Sequence, residues 1–363
     1  MSSRRVLHCI PGLAAGGAER QLGMLTHQLP RYGWEVHVAS LRGGVFEEEL
    51  APSTIVHRIP CRGERDPRIP FRLAALIGRL RPLLVQTWLT LMDIHGGLAA
   101  LSRHMTWIAT ERNSALAYQV RLTNLARALL LPHADALVAN SRGGLEIWKR
   151  FGARQVQRII PNAIGIRDCA GAALPAGIDV DDEVPLIVSA GRLSPEKGLR
   201  ALLRAIAEVR REVPAVAVIC GEGPMLDELQ ATARALSLNG AVIFAGHVKD
   251  VAALLRRADV YVSISRVEGS PNAVLEALAC GTPLVVSDIP AHRELLDETT
   301  ARLVAGDDAA AVAAAIVDCL RDREAARSRA AEALRRTALW PPEVVAGEYD
   351  ALYRQLLAAK ETG

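Results

Sequence analysis

The sequence predicts an α/β protein built from two doubly wound parallel sheets. Three observations carry this expectation. The chain has 363 residues, more than one hydrophobic core usually organises. Short, continuous apolar runs recur between helical segments, which is the pattern of strands buried on both faces of a parallel sheet. These runs fall into two series separated by a loop-like stretch, which favours two open sheets over one closed barrel.

The first series comprises residues 6–10, 35–40, 83–86, 107–109 and 136–139. The second comprises residues 186–190, 215–220, 242–245, 260–264 and 283–287. Between them, residues 168–177 read as loop and residues 179–183 are acidic, so the boundary belongs between 163 and 184. The expected segments are a first domain at 1–166, a second at 167–340 and a final helix within 341–363, after Trp340-Pro341-Pro342. An Ala- and Arg-rich stretch at 307–337 has helical spacing.

Half of the residues are apolar and only 4% are aromatic, so Ala, Leu and Val are expected to carry the packing. The net charge of +3 is unevenly spread. Residues 1–166 hold 21 Lys/Arg against 11 Asp/Glu, and residues 167–363 hold 22 against 29. A first half at +10 suits an anionic surface or substrate. Nucleic acid is not the expected partner, because no recognisable nucleic-acid-binding signature is present. The six cysteines are scattered without Cys-x-x-Cys spacing and read as reduced thiols of a cytoplasmic protein. Met1-Ser2-Ser3-Arg4-Arg5 leads straight into a short strand, unlike a signal peptide. No apolar run approaches the roughly 18 residues of a membrane span. Any membrane contact is therefore expected to be peripheral.

The sharpest motifs follow predicted strands, where ligands of open α/β sheets bind. The loop Pro11-Gly12-Leu13-Ala14-Ala15-Gly16-Gly17-Ala18-Glu19-Arg20 opens a helix, and Gly16 and Gly17 let the backbone approach a ligand. Its spacing is not G-x-G-x-x-G, which argues against a dinucleotide-dependent oxidoreductase. Gly191-Arg192-Leu193-Ser194-Pro195-Glu196-Lys197-Gly198 offers phosphate an arginine fork and a lysine point charge. Gly221-Glu222-Gly223-Pro224 reads equally as a turn or a ligand contact, and the backbone after Phe244-Ala245-Gly246-His247-Val248 passes a candidate base site. In Val267-Glu268-Gly269-Ser270-Pro271-Asn272-Ala273-Val274-Leu275-Glu276, two carboxylates bracket a helix N-terminus with Ser270 as the expected N-cap. Such a terminus attracts phosphate, and carboxylates beside it suit sugar hydroxyls. In the first half, Asp93, His95, Glu111 and Arg112 are the polar groups following strands, within residues 88–97 and 110–114.

Taken in order, these motifs resemble glycosyltransferase family 4. The matching features are the Gly16–Arg20 loop, the Gly191–Gly198 loop, Gly221–Pro224 and the E-x7-E stretch followed by Ala277-Leu278-Ala279-Cys280-Gly281-Thr282-Pro283. The resemblance implies a GT-B architecture, two Rossmann-like doubly wound domains facing a central cleft. It implies a retaining transferase that moves a sugar from a nucleoside diphosphate sugar to an acceptor hydroxyl in polysaccharide, lipopolysaccharide or glycolipid biosynthesis. Arg192 and Lys197 would hold the diphosphate, Glu268 would face the donor sugar, and Glu276 would bind the ribose. Backbone at Asn272, Ala273, Val274 and Leu275 would contact sugar and phosphate, Val248 would meet the base, and Gly16 and Gly17 would join the donor site.

No metal and no cofactor is expected, since the nucleotide sugar is a substrate. The first domain would bind a glycan or lipid-linked acceptor, and the last helix would cross back onto it. Many members of the family carry a histidine where this chain has Glu111; either Glu111 replaces it, or His95 or Asp93 supplies the contact. Contact with the inner face of an anionic membrane is expected through Arg72, Arg79 and Arg81, interleaved with Phe71, Leu73, Leu76, Ile77 and Leu80. The alternatives are a GT-B nucleotide-sugar epimerase and a non-catalytic nucleotide-sugar-binding protein.

Overall fold

A computed structural model describes residues 4–14, 16–112, 122–149, 156–165, 174–175, 177–248, 250–337 and 340–361. Residues 166 and 167, Cys169, Asn113 and Ser114 lie outside the described residues.

The strands are β1 (Arg4–Gly12), β2 (Trp34–Arg42), β3 (Ile55–Arg58), β4 (Leu84–Trp88), β5 (Thr106–Glu111), β6 (Ala136–Ala139) and β7 (Val156–Ile159), then β8 (Leu186–Ala190), β9 (Val216–Cys220), β10 (Val242–Gly246), β11 (Val260–Ser263), β12 (Leu284–Ser287) and β13 (Arg302–Val304). The helices are α1 (Gly17–Gln28), α2 (Ile69–Leu80), α3 (Leu89–Ser102), α4 (Leu122–Leu130) and α5 (Arg142–Lys149), then α6 (Leu199–Val209), α7 (Leu226–Ala235), α8 (Ala252–Arg257), α9 (Asn272–Ala279), α10 (Pro290–Arg293), α11 (Ala309–Arg321), α12 (Arg323–Thr337) and α13 (Pro342–Glu361). They form two compact units, Met1–Ala163 with Trp340–Gly363, and Ile164–Leu339.

The first unit holds a seven-stranded sheet in the order β3-β2-β1-β4-β5-β6-β7, and the second a six-stranded sheet in the order β10-β9-β8-β11-β12-β13. Every pairing in both is parallel. In each, the direction of winding reverses beside the first strand, between β1 and β4 and between β8 and β11. Those reversals open the crevices where ligands of such sheets bind.

The ten expected strands are all present. The three that the apolar runs do not reveal, β3, β7 and β13, are all edge strands. Each is short and half-exposed and carries charge, as in Ile55-Val56-His57-Arg58. An edge strand covers one neighbour only, so it needs no continuous apolar run, and charge there discourages edge-to-edge pairing.

The cores differ in kind. Aliphatic side chains fill the core of the second unit, among them Leu202, Leu203, Ile206, Val260, Val262 and Ile316. The first unit instead buries Trp34, Trp88, Trp107, Trp148, Tyr349 and Tyr353. Packing by Ala, Leu and Val therefore describes the second unit, whereas the first concentrates the scarce aromatics.

Helix α13 belongs to the first core through Val345, Ala346, Tyr349, Leu352, Tyr353 and Leu356. Trp34 Nε1 donates to Asp350 Oδ1 at 2.8 Å, and the Tyr353 hydroxyl donates to Gln86. Residues 69–80 do form a helix, but its apolar stripe is not free for a membrane: Ile69, Leu73, Leu76 and Ile77 are buried in the core, Leu80 packs against it, and Phe71 alone of the expected apolar set is largely exposed.

Candidate active site

The strongest cluster of chemistry-bearing side chains lies at the winding reversal of the second sheet. Strand β8 ends at Ala190, and Gly191 follows with φ 151°, a conformation that L side chains rarely adopt. Gly221, after β9, sits so near that a Cβ there would lie 1.9 Å from Gly191 O. A Cβ at Gly223 would lie 2.3 Å from Leu193 O. The backbone closes the same contact, with Gly191 N donating to Cys220 O and Leu193 N to Glu222 O, both at 2.9 Å. Gly221-Glu222-Gly223 thus braces the loop after β8. Gly198 (φ 68°) ends a 3-10 turn at Pro195–Lys197 and starts α6. A Cβ there would lie 2.3 Å from Ile264 O, so the loop after β11 presses directly on the loop after β8.

That contact brings two candidates together. Lys197 Nζ lies 2.5 Å from Glu268 Oε1, and Ser265 Oγ donates to the same oxygen at 2.7 Å. The Lys197 and Glu268 side chains keep 25% and 13% of their surface exposed, so the pair is partly desolvated but reachable. Arg192 is exposed on the same loop. Arg266 N donates to Glu196 O at 2.8 Å, a second tie between the two loops.

Helix α9 follows. Ser270 is not its N-cap: Pro271 takes that position with ψ 92° and contributes no side-chain hydrogen bond, so the helix begins at Asn272. Val274 and Leu275 are buried while Asn272, Ala273 and Glu276 are half-buried. Tyr261 on β11 donates its hydroxyl to Ala190 O at 3.1 Å. Burial, and then the negative charges of Glu276 and Glu268, push its phenol far above the ordinary range. Both glutamates therefore act on one buried ring. Val248 is half-buried just beyond β10.

In the first unit, Gly16 is the N-cap residue of α1, and a Cβ there would meet Glu19 Oε2 at 2.3 Å; Gly17 opens that helix. His95 Nε2 lies 3.0 Å from Glu64 O. Asp93 and Glu111, the candidates for the sugar side, are buried around Arg127. Arg127 Nη2 lies 2.6 Å from Asp93 Oδ2 and Nη1 donates to Glu111 Oε2 at 2.7 Å, all three side chains being about 1% exposed or less. Trp148 Nε1 also donates to Glu111 Oε2, at 2.6 Å. Burial, opposed by the Arg127 charge, raises the Asp93 carboxyl to about 6. A lone arginine within Leu-Ala-Arg127-Ala-Leu was the available signal, since a buried charge needs a partner.

Arg112 is held too. Its guanidinium lies 4.4 Å from the Trp88 ring centroid and donates to Asn162 Oδ1 (2.7 Å) and to the Tyr349 hydroxyl of α13 (2.8 Å). Among the described residues no group of three His, Cys, Asp or Glu side chains is placed to hold a metal ion.

Comparison with known proteins bears on the family and the fold. The family model Glycosyltransferase Family 4 matches residues 15–167, and the model Glycosyl transferases group 1 matches residues 184–322. The chain is 26% identical to the N-acetylgalactosamine-N,N'-diacetylbacillosaminyl-diphospho-undecaprenol 4-alpha-N-acetylgalactosaminyltransferase of Campylobacter jejuni, over 82% of each chain. It is 27% identical to the lipopolysaccharide core biosynthesis glycosyltransferase LpsE of Rhizobium meliloti, over 74% of this chain and 75% of that one. The solved structure of HepE from Anabaena in complex with UDP and glucose shares the fold, with a TM-score of 0.83 at 17% identity over 97% of this chain and 99% of that one. With both sheets wound in this way and the two family models matching in order along the chain, the protein belongs to glycosyltransferase family 4 and has the GT-B fold.

Proposed function

We propose that the protein is a retaining glycosyltransferase that takes a sugar from a nucleoside diphosphate sugar and passes it to an acceptor hydroxyl. The observation that carries this reading is the Lys197–Glu268 pair, set at the winding reversal of the second sheet beside the N-terminus of α9. In the reaction, the bond between the anomeric carbon and the phosphate oxygen breaks, and a new bond to the acceptor oxygen forms on the same face. The acceptor proton passes to the departing phosphate oxygen. The main electrostatic task is to stabilise that departing diphosphate, and Arg192, Lys197 and the first turn of α9 supply the positive potential without a metal.

Lys197 shares its charge between the incoming phosphate and Glu268, which directs the carboxylate toward the sugar. Glu276 takes the ribose hydroxyls, and backbone near Val248 takes the base. No cofactor is needed, because the nucleotide sugar is itself the substrate. HepE is similar in fold and was solved with UDP and glucose, which supports this class of donor.

The acceptor we propose is a glycan or lipid-linked hydroxyl, as the names of the Campylobacter and Rhizobium relatives suggest. The site of action is the cytoplasm, at the inner face of a membrane. Leu122, Leu125 and Leu129, exposed on one face of α4, replace α2 as the proposed apolar contact of the basic first half. Loss of vesicle co-sedimentation on changing these leucines to serine tests that contact.

The decisive experiment for the activity is a thermal-shift panel of UDP, GDP and ADP sugars, followed by proton NMR of the product. Binding of one donor raises the melting temperature by mass action. Acceptor-dependent release of the nucleoside diphosphate, with the anomeric configuration kept, is expected. No shift with any nucleotide sugar in the folded protein overturns the reading, and inversion overturns its stereochemical part.

A further inference from the structure

Behind Glu268 lies a continuous buried chain that the transfer reaction does not by itself require. Ser265, whose hydroxyl donates to Glu268, has its own backbone oxygen bound by Ser287 Oγ at 2.5 Å. Ser287 closes β12, and its backbone oxygen lies 2.7 Å from His292 Nδ1, with Ser287 Oγ 3.3 Å from the same nitrogen. A carbonyl oxygen only accepts, so Nδ1 carries the ring proton. Among the described residues His292 Nε2 has no hydrogen-bond partner, and the ring is fully buried. Burial, partly opposed by that backbone bond, holds His292 below the ordinary imidazole range, so it is neutral. Gly306 packs against Ser287, since a Cβ there would lie 2.8 Å from Ser287 Cβ. The chain therefore has little room to rearrange.

We infer that His292 is a positioning residue for Glu268, acting through Ser287 and Ser265 to fix the carboxylate that meets the donor sugar. The inference rests on the reading of Glu268 given above. The imidazole orients the end of β12, Ser287 pins the main chain at Ser265, and Ser265 shares Glu268 Oε1 with Lys197. A merely space-filling His292 would need none of these bonds. A buried polar ring with one nitrogen unpartnered is costly to retain, so a leucine of similar volume would serve packing at least as well.

The test uses the full chain and two readouts. In donor turnover, His292→Leu should lower kcat about tenfold with KM for the donor nearly unchanged, the mark of an interaction used in the transition state. His292→Asn, whose amide nitrogen lies near the Nδ1 position, should recover most of that loss. The losses from His292→Leu and Ser265→Ala should be less than additive, as for members of one network. Equal losses in the Leu and Asn variants, or additive losses, overturn the inference. The second readout does not need activity: in 15N-histidine NMR, Glu268→Gln and Ser287→Ala should both move the His292 ring-nitrogen resonances. If neither moves them the chain is not coupled, and if they move while no nucleotide sugar is turned over, the functional reading alone fails. Should His292→Leu not fold, Ser287→Ala reads the same path in turnover.

Discussion

The two sheets reverse direction at corresponding places, and their carboxyl ends are nevertheless built in opposite ways. At the end of β8 and β11, glycines let three loops press together and leave Lys197 and Glu268 paired but accessible. At the ends of β4 and β5, the equivalent charges are withdrawn. Asp93 and Glu111 are sealed around Arg127, and Arg112 is stacked on Trp88 and tied to α13. The doubly wound sheet supplies a location in both cases; side chains decide whether it is a site or a strut. The contrast extends to packing, because all five tryptophans belong to the first unit. Tryptophan fluorescence consequently reports that unit alone, and under the proposed function donor turnover reports chiefly on residues of the second.

The largest expected effect is structural and falls in the first unit. Arg127→Met leaves two buried carboxylates without their cation and should destabilise the first unit by about 3–5 kcal/mol, the usual result of breaking a buried pair. Urea unfolding followed by tryptophan fluorescence measures it. The triple variant Asp93→Asn, Glu111→Gln, Arg127→Met removes all three charges and should recover much of the loss. If Arg127→Met is as stable as the unmodified protein, the cluster is not a strut and the contrast breaks.

Next in size is a kinetic effect in the second unit. Lys197→Ala should lower kcat by about 10²–10³, equivalent to about 2.7–4 kcal/mol of barrier, with no change in the tryptophan transition. Lys197 is a quarter exposed and its bond to Glu268 is a partly solvated one, so stability should hardly respond. A large loss of stability with turnover intact would reverse the roles assigned to the two ends.

How much of this contrast the sequence carries depends on the kind of contact. Residues 191–198 and 268–276 are legible because the candidate site is made by loops that are local in sequence and marked by glycine and proline. Arg127 is legible only as a charge in an apolar context, because its partners lie on other elements and nothing local announces that Asp93 and Glu111 converge on it. The same reasoning covers His292, whose contact with Glu268 passes through Ser287 at the end of β12 and Ser265 in the loop after β11. The stripe Leu73, Leu76, Ile77 has the spacing of a membrane-facing helix and of a core-facing one alike, and only the tertiary packing separates them. Edge strands β3, β7 and β13 escape for want of a continuous apolar run.

A pH effect follows from Asp93. Burial raises its carboxyl from 3.8 to about 6 in the folded state. A raised acid binds its proton more tightly when folded, so its contribution to stability is complete below pH 3.8 and is lost as pH rises through about 6. The urea midpoint of the unmodified protein, minus that of Asp93→Asn, should therefore fall between pH 4 and 6.5, by on the order of 2 kcal/mol in free energy. Using the difference cancels the carboxylates elsewhere that titrate in the opposite sense, such as Asp297, held down to about 2 first by its Thr299 hydrogen bond. A flat difference would mean that Asp93 stays ionised in the fold.

The smallest effect decides the status of Arg112, which the sequence places among ligand-binding candidates and the structure places under a latch. Tyr349→Phe removes only the hydroxyl that accepts from Arg112, leaving the Trp88 stacking and the Asn162 bond in place. A hydrogen bond to a charged group contributes about 1.5 kcal/mol at the low end of its range, and the remaining contacts argue for that low end. If Arg112 serves to fasten α13 to the first sheet, the loss appears in the tryptophan unfolding transition, and KM for donor and acceptor stays put. If instead Arg112 is a ligand group that Tyr349 merely parks, freeing it costs little stability and changes KM for the acceptor. The second outcome would open the carboxyl end of the first sheet as a site and remove the sharpest difference between the two halves.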